Sequence, residues 1–220
     1  MSSARDEILA RVRSAIGAAP PATGAPSPPP PASRDYRHID TRPHDELVEL
    51  FCARVGDYRA EVQRVAADQL RDAVALAAAH HGAQRLVIPA GLPDPWRPGG
   101  LALISDDALS PRQLDGLDGV ISGCTVAIAE TGTIALTAAQ HEGRRALSLV
   151  PDLHICIVNE AQIVGSVPEA ITQLAAIVHD DHRPVTLISG PSATSDIELQ
   201  RVEGVHGPRK LVVLVIEEPA

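Results

Sequence analysis

Aromatic side chains are scarce in this sequence: they make up 2% of its 220 residues. A core must therefore be filled by Val, Ile, Leu and Ala from strands and helices, which favours a buried sheet flanked by helices. Cysteine is sparse too. Cys52, Cys124 and Cys156 are odd in number and scattered, with no C-x-x-C spacing. Neither a disulfide framework nor a zinc or iron–sulfur site is indicated, and buried free thiols are expected. Basic charge is outweighed, with 19 Lys and Arg against 28 Asp and Glu, a net charge of -9. That balance argues against broad contact with nucleic-acid phosphates or anionic lipid. No run approaches the ~20 apolar residues needed to span a bilayer. The N-terminal region is charged from Arg5 onward and has no signal-like apolar stretch. The expectation is a cytoplasmic protein with no nucleic-acid partner and no membrane span.

What is present is 45% hydrophobic residues on a length that suits one sizeable core. Residues 3 to 16 read as an amphipathic helix, with Ser3 as a cap, Asp6 in the first turn, and Ile8, Val12, Ala15 and Ile16 on one face before Gly17. Pro20, Pro21, Pro26 and the run Pro28 to Pro31 then break any ladder. The predicted organisation is a helix over 1–17, a proline-rich linker over 18–38 and an α/β domain over 39–220. Such a tethered arm either docks on its own domain or reaches a partner subunit.

From Thr41 the pattern becomes globular. Pro43, Asp45 and Glu46 suit a helix start, and Leu47, Leu50, Phe51 and Val55 follow at helical spacing to an end near Gly56. Tyr58, Ala60 and Val62 alternate as in a strand, and an Ala-rich helix runs from Asp68 through His80 to a stop at Gly82. The adjacent His80 and His81 sit at that helix end, where cations are favourable, and need no site. Strands are predicted at 86–88, 101–104, 126–129, 134–137, 154–158, 185–189 and 211–217, with a Ser166-capped helix over 167–178 whose Glu169 suits a capping box. Alternation of this kind implies a largely parallel sheet covered on both faces, with a ligand beyond the strands' carboxyl ends.

Three polar segments can carry chemistry. In Glu130-Thr131-Gly132-Thr133, a carboxylate beside two hydroxyls can act as acid, base or nucleophile, while Gly132 permits close backbone approach; a plain hairpin turn is the alternative. The stretch Ser189-Gly190-Pro191-Ser192-Ala193-Thr194-Ser195-Asp196-Ile197-Glu198 leaves a strand and enters a possible helix. Its hydroxyls and free N–H groups suit a phosphate or carboxylate, with helix capping by Thr194 or Ser195 as the alternative. It has neither the P-loop nor the dinucleotide-binding glycine spacing. In Gly204-Val205-His206-Gly207-Pro208, the glycines leave His206 free to reach a ligand, or simply to face solvent. Asp196, Glu198 and His206 could hold a metal only if they converge, so no metal is assigned. His154 reads as a structural hydrogen-bonding residue.

Taken together, Glu130 to Thr133, Pro151-Asp152-Leu153-His154-Ile155, Ser189 to Glu198 and Gly204 to Pro208 resemble the lactate-utilization protein C family (LutC/YkgG), over about residues 40 to 217. The resemblance implies a LUD domain, a three-layer α/β/α relative of the NagB/RpiA/CoA-transferase-like fold. It implies a subunit of a bacterial system that oxidises L-lactate to pyruvate with iron–sulfur partner proteins. This chain has no ferredoxin-like cysteine motif, so the expectation is a non-redox subunit, no iron–sulfur cluster in the chain and a cofactor left unassigned. The other reading is a stand-alone CoA-transferase-like or cyclo-ligase-like enzyme that uses Glu130 and a phosphate-binding Ser/Thr loop. The predicted site has Glu130 and His206 as catalytic groups. Thr131, Gly132, Thr133, Gly190, Ser192, Thr194, Asp196, Glu198 and Gly207 would bind a small carboxylate or phosphate-bearing ligand in one shared pocket.

Overall fold

The longest apolar runs become neighbouring strands in the middle of a sheet, where both faces of each strand are buried. The computed structural model describes residues 4–16, 35–194, 202–203 and 207–217. The chain divides into two units, Met1–Tyr36 and Arg37–Ala220. In the first, α1 (Ala4–Ile16) forms over the predicted span, with an Arg11–Glu7 pair at 2.8 Å on its surface. Residues 17–34, most of the predicted linker, lie outside the described residues.

The second unit opens with α2 (His44–Asp57), β1 (Glu61–Val65), α3 (Leu70–His80), β2 (Arg85–Ile88), β3 (Ala102–Ser105), α4 (Pro111–Asp115) and β4 (Gly119–Ser122). It continues with β5 (Val126–Ile128), β6 (Thr133–Leu136), β7 (Leu153–Asn159), β8 (Ile163–Val164), α5 (Val167–Asp180) and β9 (Thr186–Ile188). The hairpin strands β10 (Ala193–Thr194) and β11 (Val202–Glu203) precede β12 (Lys210–Ile216). The main sheet has the order β1-β12-β7-β4-β2-β3, and every pair in it is parallel. The expected largely parallel α/β sheet is what forms.

Sequence reading misses the short elements α4, β4, β8, β10 and β11, and it does not divide the strands between two sheets. The strand β4 is four residues opened by a glycine, too short to show a period, yet every residue in it is buried. The runs 126–129 and 134–137 leave the main sheet for a second one, ordered β8-β5-β6-β9. The few residues between β5 and β6 are too short for a parallel crossover, so the pair is antiparallel, with Ile128 opposite Thr133. The β6–β9 pair is antiparallel as well.

Alternation along β7 feeds two cores. Leu153, Ile155 and Ile157 pack with Leu70, Ala73, Val74 and Ala78 of α3. Cys156 and Val158 face Phe51 and Val55 of α2 and Ala127, Ile134 and Leu136 of the second sheet. Phe51 is fully buried, and burial of such a ring contributes about 1.5–3 kcal/mol. The far side of the second sheet, with Val126, Ile128 and Ala135, is covered by Ala170 and Leu174 of α5.

The start of α5 is tied to residues 37–42 by a polar knot. The Ser166 N–H and hydroxyl both donate to Glu169, at 2.8 and 2.7 Å, which is the predicted capping pair. The Asp40 N–H donates to the same carboxylate oxygen at 3.2 Å. The buried Asp40 carboxylate accepts from Arg42 through its N–H, Nε and Nη2. Arg42's side-chain hydrogen bond chiefly holds the Asp40 carboxyl well below the usual carboxylate range, helped by its N–H and by the guanidinium charges of Arg42 and Arg37, against burial.

Two predictions follow from packing and charge. Gly132, with φ +60, lies against α2, and an added Cβ would sit 2.7 Å from the Arg54 carbonyl carbon. Gly132→Ala should therefore cost about 2 kcal/mol in urea unfolding through backbone strain and overlap; an unchanged midpoint would mean that the turn is free to move away from α2. Folded Asp40 ionises more readily than unfolded Asp40. Its contribution is thus complete above the unfolded value of about 4 and is lost as pH falls toward the folded one. Asp40→Asn should flatten the fall in stability between about pH 5 and pH 3, and parallel stability–pH curves for wild type and variant would show that the knot adds nothing.

Candidate functional site

The loop after β9 is shaped by close approach. Gly190 has φ +108, and a Cβ there would lie 2.5 Å from the Tyr58 Cβ, so a larger residue is excluded. Ser192 N–H donates to the Pro208 carbonyl at 2.8 Å, which fixes the loop to the segment leading into β12. Where the sequence suggests entry into a helix, β10 pairs antiparallel with β11 instead. Backbone pairing thus meets the needs of Ala193 and Thr194 without a helix.

Between this loop and the first residues of β7 and β12 lies a cavity of about 250 Å³. Its walls include Arg145, Ser148, His154, Thr186, Ser189, Gly190, Ser192, Gly207 and Pro208. Ser148 precedes β7 and Gly207 precedes β12, so the cavity sits at the amino ends of these strands, not beyond their carboxyl ends as parallel-sheet reasoning expects. The departure has a cause: residues 186–193 reach the cavity from the second sheet and do not extend a strand of the main one.

Two adjacent arginines have different tasks. Arg144 forks onto Asp106, with Nε and Nη2 at 2.7 and 2.8 Å from the two carboxylate oxygens, and this bonding pulls the Asp106 carboxyl below its usual range. Arg145 is exposed and donates through Nη1 to the Thr186 hydroxyl at 2.8 Å, at the cavity wall. The cavity therefore carries a guanidinium among hydroxyls, a setting suited to an anion. A second fork, Arg209 onto Asp152 at 2.6 and 3.0 Å, secures the chain next to Pro208 and lowers the Asp152 carboxyl.

His154 is buried and 2.8 Å from the Ser122 hydroxyl. That hydroxyl donates to the Gly123 carbonyl at 3.0 Å, so its oxygen is the acceptor toward His154 and the imidazole proton is assigned to Nε2. The structural reading of His154 holds, and the same residue lines the cavity. Behind it Cys124 and Cys156 are buried free thiols, as expected. They titrate as a pair: Cys156 is drawn below the ordinary thiol range by a hydrogen bond from Cys124 and by His154, against burial, whereas Cys124 is pushed well above it by its bond to Cys156 and by burial.

Of the predicted site residues, Gly190, Ser192 and Gly207 meet at the cavity. Thr131 and Thr133 join it indirectly, because their hydroxyls lie 2.7 Å apart and Thr133 is 2.7 Å from the Ser189 hydroxyl. Gly132 is the turn residue packed on α2. Glu130 is not among the wall residues: one carboxylate oxygen accepts from the Val167 N–H at 2.8 Å and the other from Arg37 at 3.1 Å. Asp196, Glu198 and His206, and the side chain of Thr194, lie outside the described residues. Sequence reasoning missed Arg145, Ser148 and Thr186. Two consecutive arginines read as a solvated surface, and only the Asp106 fork distinguishes one from the other.

Comparison with known proteins agrees with this architecture. The LUD domain family matches residues 110–216. The lactate utilization protein C of Deinococcus radiodurans is 45% identical over 217 residues, covering 98% of this chain and 96% of that protein. That of Geobacillus kaustophilus is 25% identical over 97% of this chain and 96% of its own length. The uncharacterized protein YkgG of Escherichia coli is 38% identical over 94 residues, 41% of this chain and 40% of that protein. Among solved structures, the crystal structure of a DUF162 family protein from Deinococcus radiodurans superposes with a TM-score of 0.70 at 41% identity, covering 80% of this chain and 99% of that one. With an all-parallel main sheet and end-to-end similarity of this kind, the chain belongs to the lactate utilization protein C family of LUD-domain proteins.

Proposed function

We propose that this chain serves lactate utilization as a non-redox subunit of a bacterial L-lactate-oxidising system and binds a small carboxylate in the Arg145 cavity. The observation that carries the reading is the lining: a guanidinium beside Thr186, with Ser148, Ser189 and Ser192 around a space of about 250 Å³. The names of the relatives in Deinococcus and Geobacillus support the metabolic setting. A bound carboxylate would take charge-assisted hydrogen bonds from Arg145 and neutral ones from the hydroxyls, and His154 would present its imidazole from the floor. Electron transfer would fall to iron–sulfur partners, because three dispersed thiols, two of them buried, offer no set of four local ligands. Glu130, with one oxygen on the first N–H of α5 and the other on Arg37, we assign to positioning α5 rather than to nucleophilic attack. This weighs against the CoA-transferase-like or cyclo-ligase-like reading.

Calorimetric titration of the full chain with L-lactate, pyruvate and inorganic phosphate tests the pocket. Arg145→Met should weaken carboxylate binding by about 1.5–3 kcal/mol, the worth of a charged hydrogen bond, with the melting profile of the free protein little changed. Equal affinity in wild type and variant would remove Arg145 from the site, and phosphate as the sole ligand would replace the carboxylate. Anaerobic reconstitution of the chain alone with iron and sulfide should give no stoichiometric brown chromophore. Its appearance would overturn the non-redox assignment.

A further inference from the structure

On the edge strand of the main sheet, Glu61 opens β1 beside the end of α3, where His80 and His81 stand. His80 is the last helical residue and His81 the cap, with φ -91° and ψ 3°. Leaving the helix at His81 brings the two rings together, edge to face, with centroids 5.0 Å apart. Their Nε2 atoms lie 3.9 Å (His80) and 3.1 Å (His81) from the same oxygen of Glu61. One ligand atom from each residue can be chosen so that all three lie within 4.8 Å of one another.

The buried member is unsatisfied. The His81 side chain is only 11% exposed, and its Nε2 is sealed from solvent with no hydrogen-bond partner of proper geometry despite the nearby carboxylate. A polar atom in that state is costly unless something satisfies it. We propose that Glu61, His80 and His81 form a binding site for a divalent transition-metal ion, with Zn²⁺ the best fit to two imidazole nitrogens and one carboxylate oxygen. Ligand atoms around a tetrahedral zinc at ~2.0–2.1 Å stand ~3.4 Å apart. The 3.1 and 3.9 Å separations bracket that spacing, and the His80 ring, 70% exposed, is free to close the triangle. The ion would satisfy His81 Nε2 and be held by two rigid elements. Its fourth position would face a shallow groove bordered by Val62, Leu76, Ala77 and Val212, open to water or to an added ligand atom.

The test is a titration of the full, chelator-stripped chain with Zn²⁺, followed by Co²⁺ as a spectroscopic substitute. Wild type should bind one equivalent, and His80→Ala and Glu61→Gln should each weaken it by at least about tenfold. Both side chains are at least half exposed, so neither change should disturb folding. Bound Co²⁺ should show tetrahedral visible absorption without a thiolate charge-transfer band, which separates this site from any cysteine-held ion. Absence of one-to-one binding, affinity in both variants equal to that of wild type, or a thiolate band would overturn the proposal and leave Glu61, His80 and His81 as neighbouring side chains with no ion between them.

Discussion

Everything in the larger unit depends on β7 and β12 being buried on both faces at once. A strand in that position must be apolar at every step, because neither parity of residue reaches water. Along β7, Leu153, Ile155 and Ile157 pack toward α3, while Cys156 and Val158 pack toward α2 and the second sheet. His154 is the polar residue buried within these strands, and it has a hydroxyl partner. The cavity opens where this apolar requirement lapses, at the strands' first residues, so that site and core are two ends of one constraint.

The second organising element is the polar knot at the start of α5. Three carboxylates, from Asp40, Glu130 and Glu169, meet there with Arg37, Arg42 and the first N–H groups of the helix. Negative charge at a helix N-terminus is favourable, and the arginines neutralise what the helix cannot. The knot fastens the β5–β6 turn, residues 37–42 and α5 into one body. Through Thr133 and Ser189 that body reaches the cavity wall.

The main sheet was legible because β2, β3, β7 and β12 announce themselves as apolar runs, and α5 through its Ser166 and Glu169 capping pair; β1 was misplaced, since the alternation of Tyr58, Ala60 and Val62 falls mostly on the turn that ends α2 and the strand begins at Glu61. Partition into two sheets was not legible, since period-2 apolar segments look alike whether their neighbour is parallel or antiparallel; only the short link between Ile128 and Thr133 hints at a hairpin. The site was half legible for a similar reason. Gly190, Ser192 and Gly207 stand out by residue type, whereas Arg145 acquires its place only once Arg144 is taken by Asp106. Glu130 stood out too, and its carboxylate is occupied by a helix end. Likewise the His80 and His81 pair looked like a mere helix end until folding set Glu61 across from it.

The position of β12 carries a consequence for how the molecule is made. β12, the last strand among the described residues, does not add to an edge but inserts between β1 and β7, two strands far apart in the sequence. Until residue 216 has been synthesised, the sheet has an open seam, with the backbone edges of β1 and β7 that β12 joins unpaired on either side. Such late, long-range closure is slow and leaves nascent chains prone to association. The cavity, whose walls include His154 of β7 and Leu211 of β12, can exist only after β12 is home.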